Sequence, residues 1–279
     1  METFRQTQTM PCISRLFFKA PPLEFCALEF STPPVRRDLH FLLGSDPDFG
    51  YNLACAQRAP HRERSDQLHP EYTRIERIVD GCVHVAGVTF SLMASMALLA
   101  SASNSPALDV AALTIYSFGL IAMFTFSACY NLSSRPLWKE LFRRLDHAAI
   151  YVMIAGSYTP FALIKIGGGV GAALLIAVWT VAVGGAAVKF CLPRRLEILS
   201  LIFYLVQGWA ILFALAPLRS SVSNFVLWLL MAGGIIYTVG LGFHLSKQLP
   251  FHNAIWHGFV LLAASCHYAA IYEAAIPFS

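Results

Sequence analysis

The sequence predicts an all-α integral membrane protein with seven spans, and three observations carry that prediction. Of the 279 residues, 57% are hydrophobic and 13% are charged, about half the charged fraction of an average soluble domain. The apolar residues gather into seven runs, roughly 78–101, 110–131, 147–166, 171–189, 197–217, 225–244 and 256–275. Each run is about 19 to 24 residues, enough to cross roughly 30 Å of hydrocarbon as a helix. Membrane β-strands are about half that length and alternate in polarity, so a β-barrel is excluded. Finally, the segments between runs alternate in charge, as membrane loops do.

The first 70 residues stand apart. They hold eight of the fifteen prolines, with eight Lys/Arg balanced by eight Asp/Glu. "PCISRLFFKAPPLEF" has no continuous apolar core and no convincing cleavage site, so it does not read as a signal peptide. The expectation is a mostly disordered cytoplasmic extension over 1–70, followed by one seven-span domain over 71–279.

Orientation follows from the basic residues. Arg74 and Arg77 precede the first span; Arg135, Lys139, Arg143 and Arg144 lie between the second and third; Lys189, Arg194 and Arg195 between the fourth and fifth; Lys247 between the sixth and seventh. The alternate loops carry only Lys165 and Arg219. By the positive-inside rule the N-terminus is expected in the cytoplasm and the C-terminus on the other side. The net charge of +4 thus belongs to cytoplasmic loops and gives no reason to expect nucleic acid. Glycines in the fourth and sixth runs, "GGGVG" and "MAGGIIYTVGLG", permit close helix packing.

The cysteines, Cys12, Cys26, Cys55, Cys82, Cys129, Cys191 and Cys266, are odd in number and form no CxxC pair. Neither a disulfide framework nor a thiolate zinc site is indicated.

Polar residues within the runs gather at the expected cytoplasmic end. Asp80 and His84 are four apart at the start of the first span, Ser127 and Asn131 at the end of the second, Asn253 and His257 at the start of the seventh. An i, i+4 pair shares one helix face, so three helices each offer a two-residue polar stripe at similar depth. Asp146 and His147 open the third span, His244 ends the sixth, and His267 lies ten residues beyond His257. Such groups are expensive in a membrane and usually face the bundle interior, although His147 and His244 also suit interfacial anchoring and His267 a core position. Two chemistries fit the cluster: histidines and a carboxylate holding Zn²⁺, or a carboxylate–histidine proton relay. The chain contains no GxSxG, HExxH, P-loop or GxGxxG motif.

"ERIVDGCVHVAGV" (76–88), "SACYN" (127–131), "RRLDHAAIYVMIAGSYTPFAL" (143–163), "GGIIYTVG" (233–240) and "NAIWHGFVLLAASCH" (253–267) resemble, in order, the signature segments of the hemolysin III and progestin/adipoQ receptor superfamily. The resemblance covers nearly all of 71–275. It implies a seven-helix bundle with a cytoplasmic N-terminus and, for bacterial members, an inner (plasma) membrane location. It also implies a zinc site of three histidines, one in the second span and two in the seventh, with an aspartate holding a zinc-bound water and a nearby serine. Related alkaline ceramidases hydrolyse a sphingolipid amide, which makes membrane lipids the implied partners and substrates. Bacterial members take their name from a reported pore-forming activity.

Position by position, the resemblance makes Ser127 the serine, Asp146 the aspartate and His257 one of the histidines. The other two expected histidines are Asn131 and Asn253 here. An amide oxygen is a poor partner for Zn²⁺ compared with imidazole. Three readings therefore stand open: a metal site rebuilt on His257 with His84, His147, His252 or His267; a metal-free network of Asn131, Asn253, Ser127 and Asp146 serving a structural, sensing or permeability role; and acid–base chemistry by Asp146 with a histidine.

Overall fold

The computed structural model describes residues 73–191 and 197–276; the expected extension over 1–70 lies outside them. Eight α-helices are found among the described residues: α1 Arg74–Ser101, α2 Ala107–Leu132, α3 Pro136–Pro160, α4 Gly168–Cys191, α5 Glu197–Gly208, α6 Leu215–Ser221, α7 Asn224–Leu245 and α8 His252–Ala275. A π-helical segment, Phe161–Ile166, prolongs α3, and a 3₁₀ segment, Ala210–Ala214, joins α5 to α6. Seven membrane-length apolar spans result, with α5 and α6 sharing the fifth. The protein is an all-α bundle of seven membrane-spanning helices.

Its outer surface shows why lipid is the solvent. Phe213 (92% exposed), Ile198 (73%) and Trp228 (73%) project outward, an apolar surface that a soluble monomer does not carry. Inside, Leu98, Leu113, Tyr116, Leu120 and Ile271 are buried in one continuous core. A second core around Tyr151, Tyr158 and Val178 joins α3 to α4.

The third and fifth spans depart furthest from the runs read in the sequence, each for a local reason. The third span starts at Pro136 rather than 147, because the charged stretch before it is itself helical. Glu140 pairs there with Arg143 at 2.9 Å and Arg144 at 3.3 Å, an i, i+3/i+4 arrangement that supports exposed helix. Leu137, Trp138 and Leu141 remain exposed beside these charges, as suits a helix start in the membrane interface.

The fifth span is interrupted instead of continuous. Pro217 has no N–H and its ring crowds the carbonyl four residues earlier, and the ladder tightens to 3₁₀ over Ala210–Ala214. The Tyr158 hydroxyl bridges the break, donating to Gly208 O at 2.7 Å and accepting from Ile211 N at 2.9 Å. The chain turns between α3 and α4 at Gly167 and Gly168, whose φ values of 61° and 56° suit glycine alone without strain.

Candidate metal centre

Two helix starts build the site. α1 begins with a capping box: the Thr73 hydroxyl accepts from Glu76 N, and the Glu76 carboxylate accepts from Thr73 N. From this fixed start Asp80 and His84 follow at one-turn intervals, facing α8, which packs on α1. α8 begins at His252 and presents Asn253 and His257 on its facing side.

The side chains meet across this seam. His257 Nδ1 donates to Asp80 Oδ1 at 2.8 Å. Asn253 Nδ2 donates to Asp80 Oδ2 at 3.1 Å and to Asn131 Oδ1 at 3.2 Å. The His84 ring packs on the His257 ring with centroids 4.2 Å apart. His84 Nε2 lies 3.4 Å from Asp80 Oδ2 but is not aligned to bond it, and this buried nitrogen has no hydrogen-bond partner. The exposed fractions are 2% for His84, 11% for His257 and 14% for Asp80.

Metal-ligating atoms of Asp80, His84 and His257 lie within 4.8 Å of one another, the one such group among the described residues. Two imidazoles and a carboxylate are a known donor set for catalytic zinc, which takes three protein ligands and leaves a position open. The fit has a physical basis. A carboxylate inside a membrane helix needs compensating positive charge, and a buried ring nitrogen without a partner costs free energy. A divalent cation would answer both. The bond from His257 Nδ1 to Asp80 is also the type of contact that fixes the tautomer of a metal-binding histidine.

The remaining sequence candidates fall into two groups. Ser127 and Asp146 interact through their side chains, and His147, His257 and His84 are the other groups around the Asp146 carboxyl. Asp146 stands beside the Asp80 cluster without joining the close group of ligand atoms. Asn131 is used at both ends, since its Nδ2 donates to Ser127 O at 2.9 Å while its Oδ1 receives Asn253. His147 Nδ1 lies 2.7 Å from Arg143 O on its own helix.

The other histidines lie elsewhere. His267 stacks on Tyr237 at 5.8 Å against Gly233, where an added Cβ would come within 2.7 Å of its Nε2. His244 packs against Trp256, and His252 Nδ1 sits 3.1 Å from Leu249 O. Sequence reasoning placed Asp80 in the polar cluster but not among the metal ligands. Its i, i+4 spacing from His84 was the available signal; the pairing of the first span with the last was not.

Comparisons with known proteins converge on one group. The family described as "Haemolysin-III related" matches residues 72–268. The chain is 37% identical over 210 residues to "Hemolysin-3 homolog" of Bacillus subtilis (strain 168), covering 74% of this chain and 99% of that one. It is 40% identical over 187 residues to "Hemolysin-3" of Bacillus cereus, covering 67% and 85%. It is 34% identical over 169 residues to "Monocyte to macrophage differentiation factor" of Homo sapiens, covering 57% and 68%. No solved structure matches the chain.

Proposed function

Because the chain belongs to the haemolysin-III-related family of membrane proteins, we propose that it holds a zinc-class divalent cation between α1 and α8 and hydrolyses an amide or ester of a membrane lipid there. The observation that carries this reading is the partnerless, buried His84 Nε2 beside Asp80 and His257. These three residues would hold the ion, and Asn131 and Asn253 would not.

The site end of the bundle is assigned to the cytoplasm, since that end carries ten Lys/Arg against two at the other. The protein is integral to the membrane, and its Bacillus relatives are consistent with a bacterial plasma (inner) membrane.

A zinc-class ion supplies Lewis-acid polarisation of an acyl carbonyl and lowers the pKa of water. The chain's own groups divide the remaining work. Asp80 accepts from His257 and Asn253 and so keeps both α8 side chains turned toward α1. Asp146 is the carboxylate placed to orient or deprotonate the attacking water. Ser127, next to it, donates to charge developing on oxygen.

The test is elemental analysis of the detergent-purified protein, with His257→Ala beside wild type, and acyl release from amide and ester lipids in nanodiscs with and without chelator. Stoichiometric zinc that His257→Ala abolishes, together with chelator-sensitive release, sustains the reading. A metal-free wild type sinks the site, and zinc without acyl release sinks the hydrolase.

One observation favours a second reading. Asn253 links Asp80 to Asn131, and Asn131 closes onto Ser127 O, so the polar groups make a network with no ion. Under this reading the chain serves a sensing or permeability role. Liposome dye release by the metal-free protein would support the permeability form and separate it from the hydrolase.

A further inference from the structure

We propose that Glu76 is a positioning residue for the α1–α8 site: its carboxylate holds the left-handed start of α8 and thereby sets Asn253 and His257 opposite Asp80 and His84. This deepens the metal reading, on which only its zinc measurement rests.

Among the described residues, Phe251 is the one non-glycine residue with positive φ, at φ 60° and ψ 12°. An L-residue takes this conformation only where its surroundings over-determine it. The sequence supplies no local help, since Phe251 lacks the short polar side chain that eases Asn or Asp into this region. It stands immediately before α8, and the first ladder bond of the helix is Ile255 N to Phe251 O at 2.9 Å. Its own N–H has no partner within the helix. Glu76 Oε1 accepts that N–H at 3.0 Å, across 175 residues of sequence.

The same carboxylate is committed at its other end. Glu76 Oε2 accepts Thr73 N at 2.8 Å, completing the α1 capping box. One side chain therefore ties the first turn of α1 to the first turn of α8. Glu76 is four residues before Asp80, on the same helix face, and Phe251 is two before Asn253 and six before His257. The clamp sits about one turn outside the cluster on α1 and about half a turn outside it on α8. If the Phe251 backbone relaxed to the right-handed region, the direction of α8 would change at its root, and the displacement would reach Asn253 and His257 first.

The ordinary alternative is that Glu76 only caps α1. Three variants of the full chain separate the two. Thr73→Ala removes the hydroxyl half of the cap and leaves the bond to Phe251. Glu76→Gln keeps the size but leaves one carbonyl oxygen for two N–H donors. Glu76→Gln with Phe251→Gly adds a residue for which positive φ is free of steric cost.

Each variant is read by zinc affinity against a competing chelator, by amide exchange across 249–257 in metal-free protein, and by thermal melting. Glu76→Gln is expected to weaken zinc about tenfold, the equivalent of one charge-assisted hydrogen bond, and to speed exchange at the start of α8. Thr73→Ala is expected to lower the melting temperature and leave both other readouts unchanged. Phe251→Gly is expected to restore most of the zinc affinity lost in Glu76→Gln. Wild-type exchange in Glu76→Gln overturns the proposal, as do equal losses in Glu76→Gln and Thr73→Ala, or no rescue by glycine. If wild type holds no zinc, the metal reading falls while the exchange measurement still decides the clamp.

Discussion

The α1–α8 seam and the α2–α3 seam offer nearly the same side-chain types at one end of the bundle, but satisfy them differently. In the first, Asp80 on α1 takes hydrogen bonds from Asn253 and His257 on α8, and the His84 ring packs on the His257 ring across the same seam. In the second, Asn131 Nδ2 and His147 Nδ1 close onto their own helices at Ser127 O and Arg143 O, while Asn131 Oδ1 receives Asn253 from α8 and Ser127 meets Asp146 across the seam. A polar side chain closed onto its own backbone is at rest whatever the neighbouring helix does. One that depends on the facing helix reports on that packing and is open to a third party. Residue type alone does not distinguish a ligand from a self-satisfied histidine; the source of its hydrogen bond does.

The sharpest way to break this comparison is His257→Ala. Loss of one of the three proposed zinc ligands should lower affinity by at least about a hundredfold, taking the removal of an outer-shell partner (roughly 10–100-fold) as the lower mark. Chelator competition measures it, and near-native affinity would move the site out of the α1–α8 seam. Asp80→Asn keeps an acceptor for His257 but removes the charge, and a loss of about tenfold or more is expected by the same scale. Asn131→His combined with Asn253→His tests whether the two seams can share a site. Added imidazoles should tighten zinc by about tenfold, the worth of roughly 1.4 kcal/mol, and unchanged affinity would show that these positions do not converge on the ion.

Acidification should release the metal, because histidine ligands bind in the neutral form and protons compete for them. The release midpoint, followed with a zinc dye, should be the same in His147→Ala. That variant is also expected to show the smallest effect on affinity, less than about twofold, since its ring is engaged by Arg143 O on its own helix and stands beside Asp146 rather than among the close ligand atoms. A large loss in His147→Ala would erase the distinction between the seams.

Much of the fold was legible because lipid imposes a simple rule: backbone groups must pair within the helix, so long apolar runs become spans. The rule counts only apolar residues. It therefore missed the first turns of the third span, where helix persists through Glu140, Arg143 and Arg144 by ion pairing. It also passed over Pro217, whose missing N–H left the fifth span apolar but not continuous.

At the site, the i, i+4 stripes were readable from spacing, while the choice of which stripes face each other was not. Asn253 meets Asp80 across 173 residues, a pairing set by how the last span returns to the first. His267 illustrates the limit along a helix. It belongs to the same helix as His257, yet ten residues place it about 15 Å deeper, where it stacks on Tyr237.

The Tyr158 hydroxyl has a consequence of another kind. It gives one hydrogen bond to Gly208 O and takes one from Ile211 N, doing at the break in the fifth span what peptide groups do elsewhere. A side chain has thus become an honorary member of the main chain, and the genetic code treats it unlike one. A peptide group survives nearly every amino-acid substitution, but this link is erased by the replacements of Tyr158 that remove its hydroxyl, including the mildest, Tyr158→Phe. Far from the Asp80 cluster, the join in the fifth span hangs on one oxygen atom that a single base change can remove.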